Sequence, residues 1–232
     1  MPAALPARDP AVTRLAVPLP RGEATVTLAW EEPAADAGGV VVLAHGAGAG
    51  MDHPFLVGFA GALRAAGFAT VRFSFPYAEA GRRMPGPAAH AVATWAAVAT
   101  EVARVRPQDA WVAAGKSYGG RMASLAAADG LIAPAGLVYL GYPFHPPGVP
   151  GRTRGEHLAR VPAPQLFVEG GADPFIQPTD DFTAAVATSP DAEIVWIPGG
   201  GHSFEVAGAR RAPEEVGGDV AASVLPWLRA RI

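Results

Sequence analysis

Apolar residues first alternate with polar residues along this chain and then gather in short continuous runs. Residues 12–18 and 23–30 alternate as half-buried strands do, and the LPRG between them is a turn signal, so they predict an antiparallel hairpin. The continuous runs are typical of strands that a parallel sheet buries on both faces. They cover residues 40–45, 69–75, 110–115, 136–141, 164–170 and 192–198.

Most segments between these runs have helical spacing or composition. They cover residues 53–67, 85–105, 118–130, 179–188 and 212–232, whereas residues 142–163 look mostly irregular. Strands that alternate with helices predict an α/β fold with a doubly wound, mostly parallel sheet, led here by the N-terminal hairpin. Because no repeat or low-complexity linker interrupts the pattern, we expect one domain over residues 1–232.

Composition narrows the classes of function. With 232 residues, of which 50% are hydrophobic and 17% charged, the chain can bury one sizeable core. The net charge of −3 and the scattered cations argue against a nucleic-acid partner. The absence of cysteine excludes disulfides, thiolate metal sites and a cysteine nucleophile.

The N-terminal segment lacks the uninterrupted apolar core of a signal peptide. No run approaches the roughly 18 apolar residues of a membrane-spanning helix. We therefore expect a cytoplasmic protein with no membrane partner, and its oligomeric state stays open.

The carboxyl ends of the predicted parallel strands are where an open α/β sheet binds its ligand. The strand at 110–115 runs into GKSYGG, which sets Ser117 between Gly115 and Gly119 before a helix of small residues. A serine on such a strand-to-helix turn is exposed above the sheet, and neighbours without side chains permit the tight bend. The G-x-S-x-G pattern also occurs by chance, so a purely structural serine is the alternative. The strand before it and the helix after it favour a nucleophile.

A serine nucleophile needs a base to accept its proton and an acid that holds the base in the right tautomer. His202, in the Gly-rich loop after the last strand, and Asp173, which follows the strand before it, occupy suitable strand ends. The remaining candidates fit other roles. These are His90 and His157 on solvated helix faces, His45 as a brace of its loop, Asp180 and Asp181 at a helix start, and Asp191 at the wrong sheet edge.

The glycine-rich HGAGAG, after the first continuous apolar run, is a candidate oxyanion loop. Backbone N–H groups of Tyr118 and of Ala47 or Gly48 would converge there on a substrate carbonyl oxygen. A phosphate cradle is the alternative. However, the loop lacks both the G-x-G-x-x-G spacing and the Lys-Ser/Thr ending of nucleotide-binding loops.

Further residues are predicted at the mouth of the site as substrate contacts. They are His53, Phe75, His145, Arg82, Arg83, Arg121, Arg152 and Arg154. Because arginine pairs with carboxylates and phosphates, the arginines suggest an acyl substrate with an anionic tail, against the alternative of ordinary solvated cations. Lys116, the only lysine in the chain, is expected to form a structural ion pair beneath the serine loop.

Several segments together resemble the α/β-hydrolase superfamily, from about residue 23 onward. They are LAHGAGAGMDHPFL, GKSYGGRMAS, GYPFHPPG, LFVEGGADPF and GGGHSF. More narrowly, they look like a small, cap-poor, dienelactone-hydrolase-like branch that includes bacterial predicted hydrolases, testis-expressed relatives and a chromatin-complex subunit. The resemblance implies a triad of Ser117, Asp173 and His202, with an oxyanion hole at Ala47 and Tyr118.

We therefore expect a serine hydrolase that acts on small esters or related acyl compounds and uses no metal or organic cofactor. Residues 142–163 are too few for a large helical cap, which predicts an open or shallow site. Two alternatives stay open, because this fold serves many functions. One is a binding or scaffold protein that keeps the fold without turnover, and the other is a dienelactone-type hydrolase or acyltransferase.

Overall fold

The computed structural model describes residues 9–34 and 38–232. Its strands are β1 (Ala11–Pro18), β2 (Glu23–Glu31), β3 (Val40–Ala44), β4 (Ala69–Phe73), β5 (Trp111–Lys116), β6 (Gly136–Leu140), β7 (Gln165–Gly170) and β8 (Ala192–Ile197). They form one sheet in the order β1-β2-β4-β3-β5-β6-β7-β8. The pairs β1–β2 and β2–β4 are antiparallel, and every pair from β4 to β8 is parallel.

Helices cover both faces of this sheet. They are α1 (Pro54–Ala65), α2 (Pro76–Glu79), α3 (Ala88–Val105), α4 (Tyr118–Ala128), α5 (Thr179–Val186) and α6 (Pro213–Arg229). One apolar cluster joins α1 and α6 to the sheet, and a second joins α3, α4 and α5 to the opposite face. The central strands are therefore buried on both sides, which is the physical reason for their continuous apolar runs.

The predicted fold class is confirmed: a hairpin of β1 and β2 precedes a mostly parallel sheet flanked by helices. The four-residue α2 was not predicted, because one turn is too short for a helical period to be visible. Between β6 and β7 the chain forms only the short 3₁₀ helix Leu158–Arg160, so the cap is minimal. None of the helices in the described ranges has the length and apolar content needed to span a membrane.

The order of the strands creates a crevice at one edge of the sheet. From β3 the chain crosses to β4 on one side, whereas β5 lies on the other side and leads on to β6. Between β3 and β5 the direction of winding therefore reverses, and loops on either side leave a gap where open α/β sheets bind ligands. The loops that follow β3, β5, β7 and β8 all leave from this edge.

Candidate active site

Ser117 stands on a sharp turn between β5 and α4. Its φ of 48° and ψ of −112° lie in a region that is strained for a residue with a side chain. A Cβ on Gly115 would lie 2.2 Å from the amide nitrogen of Gly120, and a Cβ on Gly119 would lie 2.6 Å from the carbonyl oxygen of His45. The bend therefore requires glycine on both sides of Ser117. Gly115 leaves room for the start of α4, and Gly119 leaves room for the chain at the end of β3.

Hydrogen bonds join Ser117, His202 and Asp173 in a chain. Nε2 of His202 lies 2.9 Å from Oγ of Ser117, and Nδ1 of His202 lies 2.6 Å from Oδ2 of Asp173. Because a carboxylate accepts the Nδ1 proton, Nε2 is left as the acceptor for the serine hydroxyl. The three side chains come from the loops after β5, β7 and β8, and together they can move a proton off Ser117.

The surroundings of His202 favour its neutral form. Burial lowers the pKa of His202, the hydrogen bond with Asp173 opposes this change, and the nearby charge of Lys116 lowers the pKa further. The imidazole also packs against the ring of Phe175, with centroids 4.1 Å apart. A base with a lowered pKa stays neutral, and so able to accept a proton, at neutral pH.

Two buried carboxyl groups near this histidine differ in their environments. Asp173 accepts a second hydrogen bond, 2.8 Å long, from the N–H of Phe175 to its Oδ1. Glu169, at the end of β7, accepts one from the N–H of Tyr142 at 2.7 Å, while its other oxygen has no hydrogen-bond partner among the described residues. Burial raises the pKa of Glu169 well above its usual value, and the nearby Asp173 adds to the rise. The two carboxyl groups therefore differ in their partners: Oδ2 of Asp173 pairs with Nδ1 of His202, whereas no hydrogen bond joins Glu169 to His202 within the described ranges.

Two residues beside the serine offer backbone N–H groups as candidate hydrogen-bond donors. Ala47 and Tyr118 both line the cavity beside Ser117, and neither N–H has a backbone acceptor among the described residues. Tyr118 begins α4, where a helix leaves its first N–H groups unpaired and its dipole is positive. Gly48, our alternative to Ala47, does not qualify, since its N–H donates to the carbonyl of Arg83 at 3.0 Å.

Buried polar side chains hold the loop after β3. His45 accepts a hydrogen bond from the N–H of Phe75 at 3.1 Å and donates to the carbonyl of Gly46 at 2.8 Å, so it braces its loop as predicted. Arg72, on β4, donates to the carbonyl of Met51 at 2.7 Å. The role of Arg72 was not predicted, although a charged residue inside the apolar run 69–75 was an available signal.

A cavity of about 440 Å³ opens at Ser117. Its wall includes the aromatic rings of Phe55 and Phe175 together with the cationic side chains of Arg121 and Arg154. Within the described ranges, no group of three or more histidine or acidic side chains could hold a metal ion. The cavity therefore offers apolar surface, the serine hydroxyl, the cationic side chains of Lys116, Arg121 and Arg154, and the carboxyl group of Glu205.

The residues predicted at the mouth divide between this cavity and other places. Three of them line it: His53, Arg121 and Arg154. Three arginines are instead exposed outside its lining, which corrects the prediction: Arg82, Arg83 and Arg152. These arginines lie in loops that follow strand ends, but their side chains extend into water, as long cationic side chains tend to do.

Phe75 and His145 were also predicted at the mouth of the site, and they too lie elsewhere. Phe75 is fully buried, and its ring packs edge-on against Phe73 and Tyr118 instead of facing the cavity. His145 is only 1% exposed, and its Nδ1 donates to the carbonyl of Pro146 at 2.9 Å. Both side chains follow strand ends, but they are buried in the protein instead of lining the cavity.

His157 is buried, and not on a solvated helix face as we predicted. Its Nε2 lies 2.7 Å from Oγ of Ser124 and 3.4 Å from the hydroxyl of Tyr142. This second serine–histidine pair lies outside the cavity lining, and no carboxylate of the described chain hydrogen-bonds the imidazole. Burial lowers the pKa of His157 to about 4. The pair thus connects α4 to the segment between β6 and β7.

Lys116 is held by a carbonyl group, where we predicted an ion pair. Its Nζ donates to the carbonyl oxygen of His202 at 2.7 Å and lies 5.4 Å from the ring centroid of Phe204, and it makes no ion pair within the described ranges. Burial lowers the pKa of Lys116 to about 8, against the charges of Asp173 and Glu169, which raise it. Lys116 therefore anchors the backbone of the loop that carries His202.

The unfolding free energy of wild type relative to Lys116→Met is expected to increase as pH rises from about 8 to 10.5. In this range the unfolded wild-type chain binds a proton at Lys116 that the folded chain does not, so stability rises with pH. The Met variant lacks this group. Urea denaturation at several pH values measures the difference, with Lys116→Gln as a control that keeps an N–H donor but cannot titrate. Parallel stability curves for wild type and both variants would contradict the prediction.

Comparison with known proteins shows the family to which this chain belongs. A family model described as an alpha/beta hydrolase domain matches residues 37–223. An alpha-beta serine hydrolase homologue from Coxiella burnetii is 21% identical, with a TM-score of 0.71 over 93% of this chain and 97% of that chain. A serine hydrolase without lid from Xanthomonas campestris is 22% identical, with a TM-score of 0.70 over 96% and 98%. A dienelactone hydrolase from Anabaena variabilis is 22% identical, with a TM-score of 0.70 over 94% and 99%.

At these identities the solved structures show a common fold. The narrower likeness to testis-expressed and chromatin-complex proteins stays a prediction. The family match covers well over half of the chain, and the strand order and the strand-to-helix turn at Ser117 agree with it. This chain therefore belongs to the alpha/beta hydrolase family.

Proposed function

We propose that this protein is a serine hydrolase that cleaves small esters or related acyl compounds through an acyl-enzyme. The observation that carries the proposal is the hydrogen-bonded chain from Ser117 through His202 to Asp173, with distances of 2.9 and 2.6 Å. Hydrogen bonds of this length are what the activation of a serine by a histidine base requires. The fold supports the proposal, since several similar structures are described as serine hydrolases or esterases.

In the acylation step, Nε2 of His202 takes the hydroxyl proton while Oγ of Ser117 attacks the acyl carbon. The carbonyl π electrons move onto the oxygen, where the N–H groups of Ala47 and Tyr118 donate hydrogen bonds to the developing charge. One such donor typically lowers the barrier by about 3 kcal/mol. The imidazolium, stabilised by Asp173, then gives its proton to the leaving alcohol as the ester C–O bond breaks.

In the deacylation step, His202 takes a proton from water, whose oxygen attacks the acyl carbon of the ester on Ser117. The same two N–H groups donate hydrogen bonds to the negatively charged oxygen of the second tetrahedral intermediate. His202 returns the proton to Oγ as the bond to the acyl carbon breaks, which releases the carboxylic acid and restores the serine.

The cavity supports a small acyl compound as the substrate. Its volume of about 440 Å³ lies within the range of small-molecule sites, and apolar side chains such as Phe55 and Leu56 line it. The segment between β6 and β7 contributes little regular structure to cover it. We therefore assign short acyl groups to this site in preference to long chains.

An activated fluorophosphonate is expected to label Ser117 stoichiometrically in the folded wild type. The serine oxygen forms a bond to the phosphorus of this reagent as fluoride leaves, so labelling reports a nucleophile that is activated by its base. Trypsin cuts after Lys116 and after Arg121, so the labelled peptide SYGGR separates Ser117 from Ser124. Mass spectrometry of the digest makes the measurement.

Labelling should fall strongly in His202→Ala and stay unchanged in His90→Ala, a control histidine on α3 outside the cavity lining. Equal labelling in all three proteins would mean that His202 does not activate the serine. A folded wild type that takes no label at any pH between 5 and 9 would favour the scaffold alternative over turnover.

A further inference from the structure

Two arginines in the cavity have no side-chain partner among the residues that the structure describes. Arg121, one turn along α4 from Ser117, and Arg154, between β6 and β7, both line the cavity at the serine. Neither guanidinium forms an ion pair or a side-chain hydrogen bond with any residue in the ranges 9–34 and 38–232. The Nε of Arg121 is buried and finds no acceptor in the described part of the chain. A buried guanidinium N–H without an acceptor is unfavourable, which points to a ligand that supplies one.

The two cations also repel each other. Burial lowers the pKa of Arg154, and the positive charges of Arg121 and Arg152 lower it further. Elsewhere in the described chain, a buried arginine is paired: Arg72, 4% exposed at its side chain, lies 3.0 Å from a carboxylate oxygen of Glu31. The cavity therefore holds two cationic side chains that pair with no acidic side chain of the described ranges.

The acidic side chains near these two arginines do not neutralise them. The charge of Arg121 contributes to lowering the pKa of Glu156, but the carboxylate of Glu156 accepts its side-chain hydrogen bond from Thr153, at 2.9 Å. Glu205 lines the cavity but makes no ion pair with either arginine. Because its negative charge faces the same space, a dianionic phosphoryl group would meet more repulsion there than a carboxylate does. The charge balance therefore favours a monoanion such as a carboxylate.

We propose that Arg121 and Arg154 bind a free carboxylate on the acyl group of the substrate, so that the preferred substrates are half-esters of dicarboxylic acids. The inference rests on the proposed function for its reaction and on the two unpaired arginines for its specificity. Guanidinium groups hold a carboxylate through paired N–H···O bonds, while the ester carbonyl of the same acyl chain lies at Ser117. Arg121 and Arg154 would thus select substrates and take no part in bond breaking.

The test compares p-nitrophenyl hydrogen adipate, which has a free carboxylate, with p-nitrophenyl methyl adipate, in which a methyl group removes the charge. The readout is the ratio of kcat/KM for the two esters, because a loss of folded protein cancels in the ratio. We expect a wild-type ratio above about 10 at low salt, and a fall of about tenfold in Arg121→Met and in Arg154→Met. Arg82→Met, a control at an exposed arginine outside the lining, should keep the wild-type ratio.

A wild-type ratio near or below one, or a ratio that neither cavity variant changes, would overturn the inference. If wild type hydrolyses neither ester and takes no fluorophosphonate label, the proposed function fails, and the arginine site is then judged by binding alone. Calorimetric titration with adipate does not require turnover. Binding that weakens at least tenfold in Arg121→Met but not in Arg82→Met would support the site, and no binding to wild type would overturn it.

Discussion

Ser117→Ala is expected to lower kcat for a short p-nitrophenyl ester by about 10⁶-fold while the protein stays folded. The change removes the only oxygen of the residue that can attack the acyl carbon. Alanine keeps the Cβ, so the strained backbone at φ 48° is neither relieved nor made worse, and only the hydrogen bond with His202 is lost. We expect the free energy of unfolding to change by less than about 1 kcal/mol. Steady-state kinetics and urea denaturation check the two parts separately.

Ser124→Ala is the matched control, because this serine, on the helix that begins directly after Ser117, also hydrogen-bonds a histidine. Ser124 is fully buried and lies outside the cavity lining, so its loss should leave kcat within a few-fold of wild type. It should lower the free energy of unfolding by about 1–3 kcal/mol, since His157 loses its partner. The reverse pattern, with Ser124 needed for turnover and Ser117 dispensable, would show that the nucleophile is Ser124 and that our assignment of Ser117 is wrong.

Asp173→Asn is expected to reduce kcat by about 10⁴-fold without unfolding the protein. The N–H of Phe175 donates to Oδ1 of Asp173, so in the variant this position favours the amide oxygen. The amide nitrogen then faces Nδ1 of His202 and donates to it. This contact stabilises the tautomer that carries its proton on Nε2, which cannot accept a proton from Ser117.

The pH profile gives Asp173→Asn a second readout. The hydrogen bond and charge of Asp173 raise the pKa of His202, so their loss should move the acid limb of the residual activity to lower pH. Asp180→Asn, at an exposed position in the first turn of α5, should keep the wild-type rate and profile. Wild-type activity in the Asp173 variant, or a large loss in the Asp180 variant, would show that the acid is wrongly assigned.

Much of the fold and the core of the candidate site could be predicted from local patterns. Continuous apolar runs report burial on both faces, and alternation at residues 12–18 and 23–30 reports an edge hairpin, because these periods depend on neighbours along the chain. Once the strand ends are known, the topology directs their loops to one edge. This topology alone predicts that Ser117, Asp173 and His202 lie at the same edge of the sheet.

Packing between distant segments decided what local patterns could not. Phe75 and His145 follow strand ends as the triad candidates do, yet their rings turn into the core. A strand end specifies where the backbone goes, but the direction of a side chain depends on which neighbours leave space for it. No periodicity along the chain contains that information.

By itself, therefore, the sequence determined the α/β order, the serine turn with its glycines, and the set of strand ends from which a site could be built. Only the tertiary structure decided that the N–H of Gly48 donates to Arg83, that Lys116 donates to the carbonyl of His202, and that His157 is buried against Ser124. It also separated Arg121 and Arg154 from the arginines that extend into water. The physical reason is range: secondary structure follows from interactions within a few residues, whereas hydrogen-bond partners, burial and charge depend on atoms that are adjacent only after the chain has folded.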